Sequence, residues 1–267
     1  MIRLVVSDLD GCLLDGDGHL PVDFGETIAL MEKNGAVFAA ASGRSVQGVV
    51  PHFTAWEKQI AMITDNGACG YLGGERLWVD ALPKSVWYSA VQAARRVPGL
   101  WCVGCGLDEI WLEHADQLDP ESVRELSRYY PSWKNVDYDR LEDDLIKLAL
   151  YYRGDIEKDV YPYIHQALDE VVSAKVTGMT WIDVFDQGKS KGSGVAMLQK
   201  KLGISRDETI VFGDYLNDLS MAEYACRSFA LSNAHPDVKA GFTDVIGSNL
   251  EGSVTKTIQK AMRPDWN

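Results

Sequence analysis

Short apolar runs that stop abruptly at polar residues constrain this chain more than any other feature. Residues 2–6 run into Ser7 and Asp8, residues 36–41 into Ser42-Gly43-Arg44, and residues 60–64 into Asp65-Asn66-Gly67. Runs of this length and continuity read as strands buried on both faces, which is what a parallel sheet requires. Between the first two, Phe24, Ile28 and Met31 recur at helical spacing, with Asp23 and Glu26 predicting a capping box and Gly35 an end. The texture returns late in the chain. Val195, Leu198 and Leu202 mark a helix closed by Gly203, and residues 209–212 lead to Gly213-Asp214, followed by short runs at 229–231 and 244–246. Alternating strands and helices predict an α/β fold with a Rossmann-like, doubly wound parallel-sheet core, whose ligands lie beyond the carboxyl ends of the strands.

Residues 82–187 break this rhythm. Helical patterns near 84–97, 121–130 and 156–172 alternate with strand-like pieces that pair closely, 101–105 with 109–113 and 173–177 with 180–184 across Gly178-Met179. Hairpins imply an antiparallel sheet, so this stretch is expected to be an inserted α+β cap with its helices on one face. Residues 1–81 and 188–267 then form the core. The chain's 267 residues accommodate two such domains, since a single one usually takes about 100 to 150.

The formal net charge of −13 repels the phosphates of nucleic acids and anionic lipids, and no dense Lys/Arg cluster offsets it. Neither is an expected partner. No apolar run approaches the roughly 18 residues of a membrane span, and acids interrupt the N-terminal apolar stretch where a signal peptide would continue. Five cysteines, an odd number dispersed through the chain, argue for reduced thiols. A cytoplasmic protein, monomeric or weakly homo-oligomeric, is the expectation.

Three strand ends carry acids or phosphate-compatible groups: Asp8 and Asp10, Ser42-Gly43-Arg44, and Asp214 with Asn217 and Asp218. Lys191 comes from a fourth segment. Carboxylates gathered in one crevice repel by several kcal/mol at an effective dielectric of about 20. A divalent cation relieves that repulsion, and an all-oxygen ligand set suits Mg²⁺. One carboxylate is then free to attack a phosphoryl group, a role that suits Asp8. Asp10, two residues on in a glycine-containing turn, suits protonation of the departing alkoxide and deprotonation of the attacking water. Ser42 and the Gly43 amide are candidate donors to phosphate oxygens, with Lys191 as counter-charge.

These residues resemble the four motifs of the haloacid dehalogenase-like (HAD) phosphohydrolases: Asp8-Leu9-Asp10-Gly11-Cys12-Leu13-Leu14, Ser42-Gly43-Arg44, Ser190-Lys191-Gly192 and Gly213-Asp214-Tyr215-Leu216-Asn217-Asp218. Asp65-Asn66-Gly67-Ala68, Leu231-Ser232-Asn233-Ala234, Val238-Lys239 and Ser248-Asn249-Leu250-Glu251-Gly252 look like the Cof-type branch, whose large cap lies between the second and third motifs. The resemblance implies that Asp8 is the nucleophile, Asp10 the general acid/base, and Ser42 and Lys191 the phosphate ligands. It further implies Mg²⁺ held by Asp8, the Asp10 backbone carbonyl and Asp214, with Asp218 acting through water. Asn217 is given a site role. The expected substrate is a sugar phosphate or similarly small phosphorylated metabolite, with the cap closing over it. Cys12 stands where the family usually has threonine, and Tyr215 where it has a small residue.

Other readings use the same residues. A sugar phosphomutase or phosphotransferase would pass the phosphoryl group to a hydroxyl instead of water. A metabolite-binding protein could keep the fold without turnover, although the intact set of Asp8, Asp10, Lys191 and Asp214 argues against it. Arg44 reads as a surface or interdomain ion-pair partner, and Asn66 as equally a loop stabiliser or a site residue. Cys102 and Cys105 have no second ligand pair at zinc spacing and read as core. The tryptophans at 87, 101, 111, 133 and 181 read mainly as packing.

Overall fold

The computed structural model describes every residue except Pro131, Asp169, Glu170, Val171, Gln187, Asp265 and Asn267. It divides into two compact units, Met1–Val79 with Lys189–Asn267, and Asp80–Gly188. Gln187, the expected last residue of the insertion, lies outside the described residues. The chain opens with β1 (Leu4–Asp8), helix Phe24–Lys33, β2 (Val37–Ala41), helix Val46–Phe53 and β3 (Ala61–Thr64), followed by β4 (Cys69–Leu72) and β5 (Glu75–Val79). The second unit contributes β6 (Leu100–Gly106), β7 (Ile110–Glu113), β8 (Lys134–Val136), β9 (Leu145–Tyr152), β10 (Val172–Gly178) and β11 (Trp181–Asp186). Helix Lys191–Leu202, β12 (Thr209–Gly213), β13 (Arg227–Ala230), β14 (Asp244–Val245) and helix Ser253–Ala261 complete the first unit.

The first unit's sheet runs β14-β13-β12-β1-β2-β3-β4-β5. It is parallel from β14 to β3, and β4 and β5 add an antiparallel edge. Both faces are covered, as continuous apolar strands demand. On one face Leu4, Val6, Ala39, Ile63 and Val211 meet Val195 and Leu198 of the helix that starts at Lys191. On the other, the Phe38 ring lies 5.3 Å from Phe24 and 6.3 Å from Phe53, centroid to centroid. Each fully buried side chain of this size contributes roughly 1.5–3 kcal/mol. The capping box expected at Asp23 and Glu26 does not form. The Asp23 carboxylate instead accepts from Thr255 Oγ1 (2.8 Å) and Gln259 Nε2 (3.0 Å), tying the first helix to the last.

The second unit's sheet runs β10-β11-β9-β6-β7-β8 and is antiparallel except between β7 and β8. Helices Lys84–Ala94 and Tyr161–Ala167 pack Trp87, Val91 and Ile164 against Cys102, Leu148 and Leu150. Helix Pro120–Ser127 packs Leu126 against Val103, Cys105 and Ala149, which alternate with the first set and so face the opposite side. Helices therefore cover both faces, not one. Cys102 and Cys105 are buried free thiols on opposite faces of β6, a placement that prevents them from sharing a metal. The helix expected over 156–172 is broken into Ile156–Asp159 and Tyr161–Ala167, because Pro162 supplies no amide and fits only a first helical turn. Residues 169–171 of that expectation lie outside the described residues, and Val172 begins β10. Among the described residues no helix is long and apolar enough to cross a membrane.

Candidate active site

Because β1 lies between β2 and β12, the ends of three strands meet. Asp8 pairs in register with Ala41, which puts Ser42 at its side, and Ser7 pairs with Phe212, which brings Gly213 and Asp214 along the other flank. Beyond Asp8 the chain turns at Gly11 in a left-handed conformation (φ 79°), where a Cβ would sit 2.5 Å from Asp214 Oδ2. Glycine is what lets these two loops close. Asn233 and Asn249 brace the turn from the far end of the chain. Asn233 Nδ2 donates to the Gly11 carbonyl and Asn249 Nδ2 to that of Leu14, both at 2.8 Å, while the Asn249 amide donates to Asn233 Oδ1 at 3.2 Å. The tail motifs contained both asparagines, but nothing in the sequence alone showed that they act on the first loop.

Lys191 enters from the start of its helix, where Ser190 and Ser193 exchange hydrogen bonds as a capping box. Its side chain is 2% exposed, and the ammonium donates to Asp8 Oδ1 and, at 2.7 Å, to Asp218 Oδ1. Asp218 is fully buried, and its other oxygen accepts from the amides of Asp214 (2.9 Å) and Tyr215 (3.0 Å). Carboxylate oxygens of Asp8, Asp214 and Asp218 lie within 4.8 Å of one another.

Three carboxyl groups face one ammonium, so negative charge is in surplus once more than one of them is ionised. Burial holds the Asp8 carboxyl well above the ordinary carboxylate range, reinforced by Asp218 and Asp214 against the pull of Lys191. Burial likewise pushes Asp214 up to about 6 despite a hydrogen bond with Asp8, with Asp218 adding repulsion. Burial opposes charge on Lys191, but Asp218 and Asp8 more than offset it, so the group stays above its usual value and is cationic. Asp214 Oδ1 is buried with no hydrogen-bond partner among the described residues. Oxygen donors, an orphaned buried acceptor and more acidic groups than the one lysine can balance together fit a divalent cation.

The Asp10 carboxylate is not among the converging acids. It is exposed and forms a two-pronged pair with Arg44, at 2.9 Å to Nε and 2.6 Å to Nη2, while Arg44 Nη1 reaches His52 Nε2 at 3.1 Å. Arg44 is thus an exposed ion-pair partner, as one of its two expected readings had it, and its partner lies in the same unit; adjacency of β1 and β2 sets it across from the first acidic loop. Ser42 is buried, and its Oγ accepts from the Arg44 amide at 3.1 Å. Asn217 is exposed and donates to Asn66 Oδ1 at 3.2 Å, with Gly43 beside that same Asn66 amide. Cys12 is buried, its sulfur 3.5 Å from Ser7 Oγ. Tyr215 is exposed at the edge of the loop, its ring edge-on to His235.

A helix-start lysine locked between acids at the strand ends of a doubly wound sheet is the equipment of an enzyme that handles anionic groups with carboxylate chemistry. The chain belongs to the haloacid dehalogenase-like hydrolases, whose family profile matches residues 5–258. It is 28% identical over 264 residues to the 5-amino-6-(5-phospho-D-ribitylamino)uracil phosphatase YbjI of Escherichia coli, spanning 98% of this chain and 97% of that one. An HMP-PP phosphatase of Escherichia fergusonii is 27% identical over 256 residues, covering 90% and 88% of the two chains. The solved structure of the HAD subclass IIB sugar phosphatase BT4131 superposes with a TM-score of 0.80 at 22% identity, covering 98% of this chain and all of that one (100%). The protein is therefore an enzyme of a hydrolase family whose similar members are named as phosphatases.

Proposed function

We propose that this chain is a Mg²⁺-dependent phosphatase that hydrolyses a small phosphorylated metabolite, a sugar phosphate or a comparable phosphoester, through a phosphoryl group carried on Asp8. The observation that supports it most is the buried Asp8–Lys191–Asp218 chain of ion pairs with Asp214 alongside. Asp8, Asp214 and the Asp10 backbone carbonyl would hold the ion, with Asp218 reached through water. When bound, Mg²⁺ would neutralise the surplus negative charge and draw electron density from phosphoryl oxygens.

Asp8, ending the central strand, attacks phosphorus as the ester oxygen leaves. Lys191 keeps the nucleophile in place and balances the phosphoryl charge, with Ser42 and the Gly43 amide donating to its oxygens. Asp10, oriented by Arg44, protonates the leaving oxygen and then takes a proton from the water that frees Asp8. Asp10→Asn is expected to lower kcat about 10²- to 10⁴-fold in steady-state phosphate release, and an unchanged rate would assign the proton to another group. The expected setting is cytoplasmic, with small metabolites rather than nucleic acid or membrane as partners.

The same charges govern stability. Raised folded-state values for Asp8 and Asp214 mean that the metal-free protein retains protons the unfolded chain has already released. Metal-free stability should therefore fall as pH rises from about 4, the ordinary carboxylate value, through about 6, where Asp214 ionises in the fold. Mg²⁺ then has more repulsion to relieve at pH 8 than at pH 5. Thermal melts with and without Mg²⁺ are expected to show the larger stabilisation at pH 8, and equal shifts at both values would refute this charge balance.

A further inference from the structure

The loop after β3 is strained in a way that the reaction chemistry above does not use. Asp65 and Asn66 are consecutive non-glycine residues in the left-handed region (φ 52° and 53°), followed by Gly67 at φ 99°. The surroundings enforce this conformation. The Asp65 amide donates to the Arg44 carbonyl (2.9 Å) and the Asn66 amide to that of Ser42 (3.1 Å), while Thr64 Oγ1 donates to Asp65 Oδ2 (3.0 Å). Trp78 Nε1 holds the Gly67 carbonyl at 3.1 Å, and a Cβ at Gly67 would collide with the Ser190 carbonyl at the start of the Lys191 helix.

Besides seating Gly67 against the start of the Lys191 helix, this clamp places the Asn66 side chain. Its amide lies so close over Gly43 that a Cβ there would meet Nδ2 at 3.2 Å and Oδ1 at 3.3 Å, and Oδ1 accepts from Asn217 Nδ2 at 3.2 Å. A bond between a half-buried and an exposed asparagine does little for stability. Glycine would hold the same backbone with less strain. Strain retained for a side chain that stabilises little points to function.

We propose that Asn66 is a positioning residue that fixes the Asn217 amide beside the Ser42-Gly43 loop, so that both present their donors to one phosphoryl group. The inference rests on the phosphatase reading above. It makes Asn66 and Asn217 one functional unit, spanning the loops after β2, β3 and β12.

The test is a double-mutant cycle of Asn66→Gly, Asn217→Ala and the pair, with melting temperature, kcat/KM for an aryl phosphate and the inhibition constant of inorganic phosphate measured for each. Asn66→Gly is expected to melt at or above the wild-type temperature. It should nevertheless lose about 10- to 100-fold in kcat/KM and weaken phosphate inhibition comparably, the range for a lost hydrogen bond to a charged group. Adding Asn217→Ala should cost little more, because the two act through one contact. Unchanged kinetics in Asn66→Gly, a marked drop in its melting temperature, or losses that multiply in full would each overturn the inference while leaving an active wild type as a phosphatase. A wild type without Mg²⁺-dependent hydrolysis would overturn both readings.

Discussion

Asp8→Asn is expected to abolish measurable phosphate release while leaving the fold intact. The substitution keeps the shape of the side chain and an oxygen facing Lys191, yet it removes the anionic nucleophile at the end of β1. Without a carboxylate to take the phosphoryl group, the divided reaction reverts to a single direct displacement, for which the site has no other placed nucleophile. Losing covalent catalysis, metal ligation and charge balance together should cost well over 10⁴-fold, more than the about 10²- to 10⁴-fold typical of one proton-transfer group. Circular dichroism and the melting temperature should stay near wild type or rise, because the variant removes one of the mutually repelling buried acids. Turnover within tenfold of wild type would exclude Asp8 as the nucleophile.

Lys191→Met is expected to combine the largest stability loss with loss of turnover. Lys191 is almost completely buried and is the cation that both Asp8 and Asp218 contact. A methionine of similar length fills the space but leaves those carboxylates unpaired. Removing one partner of a buried pair costs about 3–5 kcal/mol, which for a unit of this size lowers the melting temperature by roughly 10 °C. Mg²⁺ should restore part of that loss, since it supplies positive charge to the same oxygens, but activity should stay absent. A variant that melts like wild type without metal would show that the ion pairs contribute no net stability.

Much of the fold was legible because burial on both faces leaves continuous apolar runs, and each run in the core ends where the chain turns polar. Local signals failed where distant partners decide the outcome. β4 and β5 are short, and β5 carries Glu75, Arg76 and Trp78, a mixture that reads as loop until the sheet edge is seen. β9 is central in the second sheet, but its partners β6 and β11 lie about 30 or more residues away in sequence, so no hairpin signal marks it. Asp23 shows the same principle: its carboxylate is claimed by Thr255 and Gln259, more than two hundred residues on, rather than by its own helix.

The site divides similarly. Asp8, Asp214, Asp218 and Lys191 were visible as residue types at strand ends and in a helix start, and the sheet order brings them together. The pairing of Asp10 with Arg44 was not visible, because it depends on how β1 and β2 neighbour each other rather than on spacing along the chain. Nor was the bracing by Asn233 and Asn249, whose partners are backbone carbonyls that leave no mark in a sequence. The left-handed backbone at Asp65 and Asn66 was hinted at only by their residue types and the following glycine, which tolerate that conformation without requiring it.

Phosphate release from an aryl phosphate and a panel of phosphorylated metabolites, measured on protein stripped with EDTA and then titrated with Mg²⁺, tests the proposed activity most directly. The expected result is no turnover without metal and saturable release as Mg²⁺ is added, with small phosphoesters preferred. Release that persists in EDTA, or none from any phosphoester at saturating Mg²⁺, would contradict it.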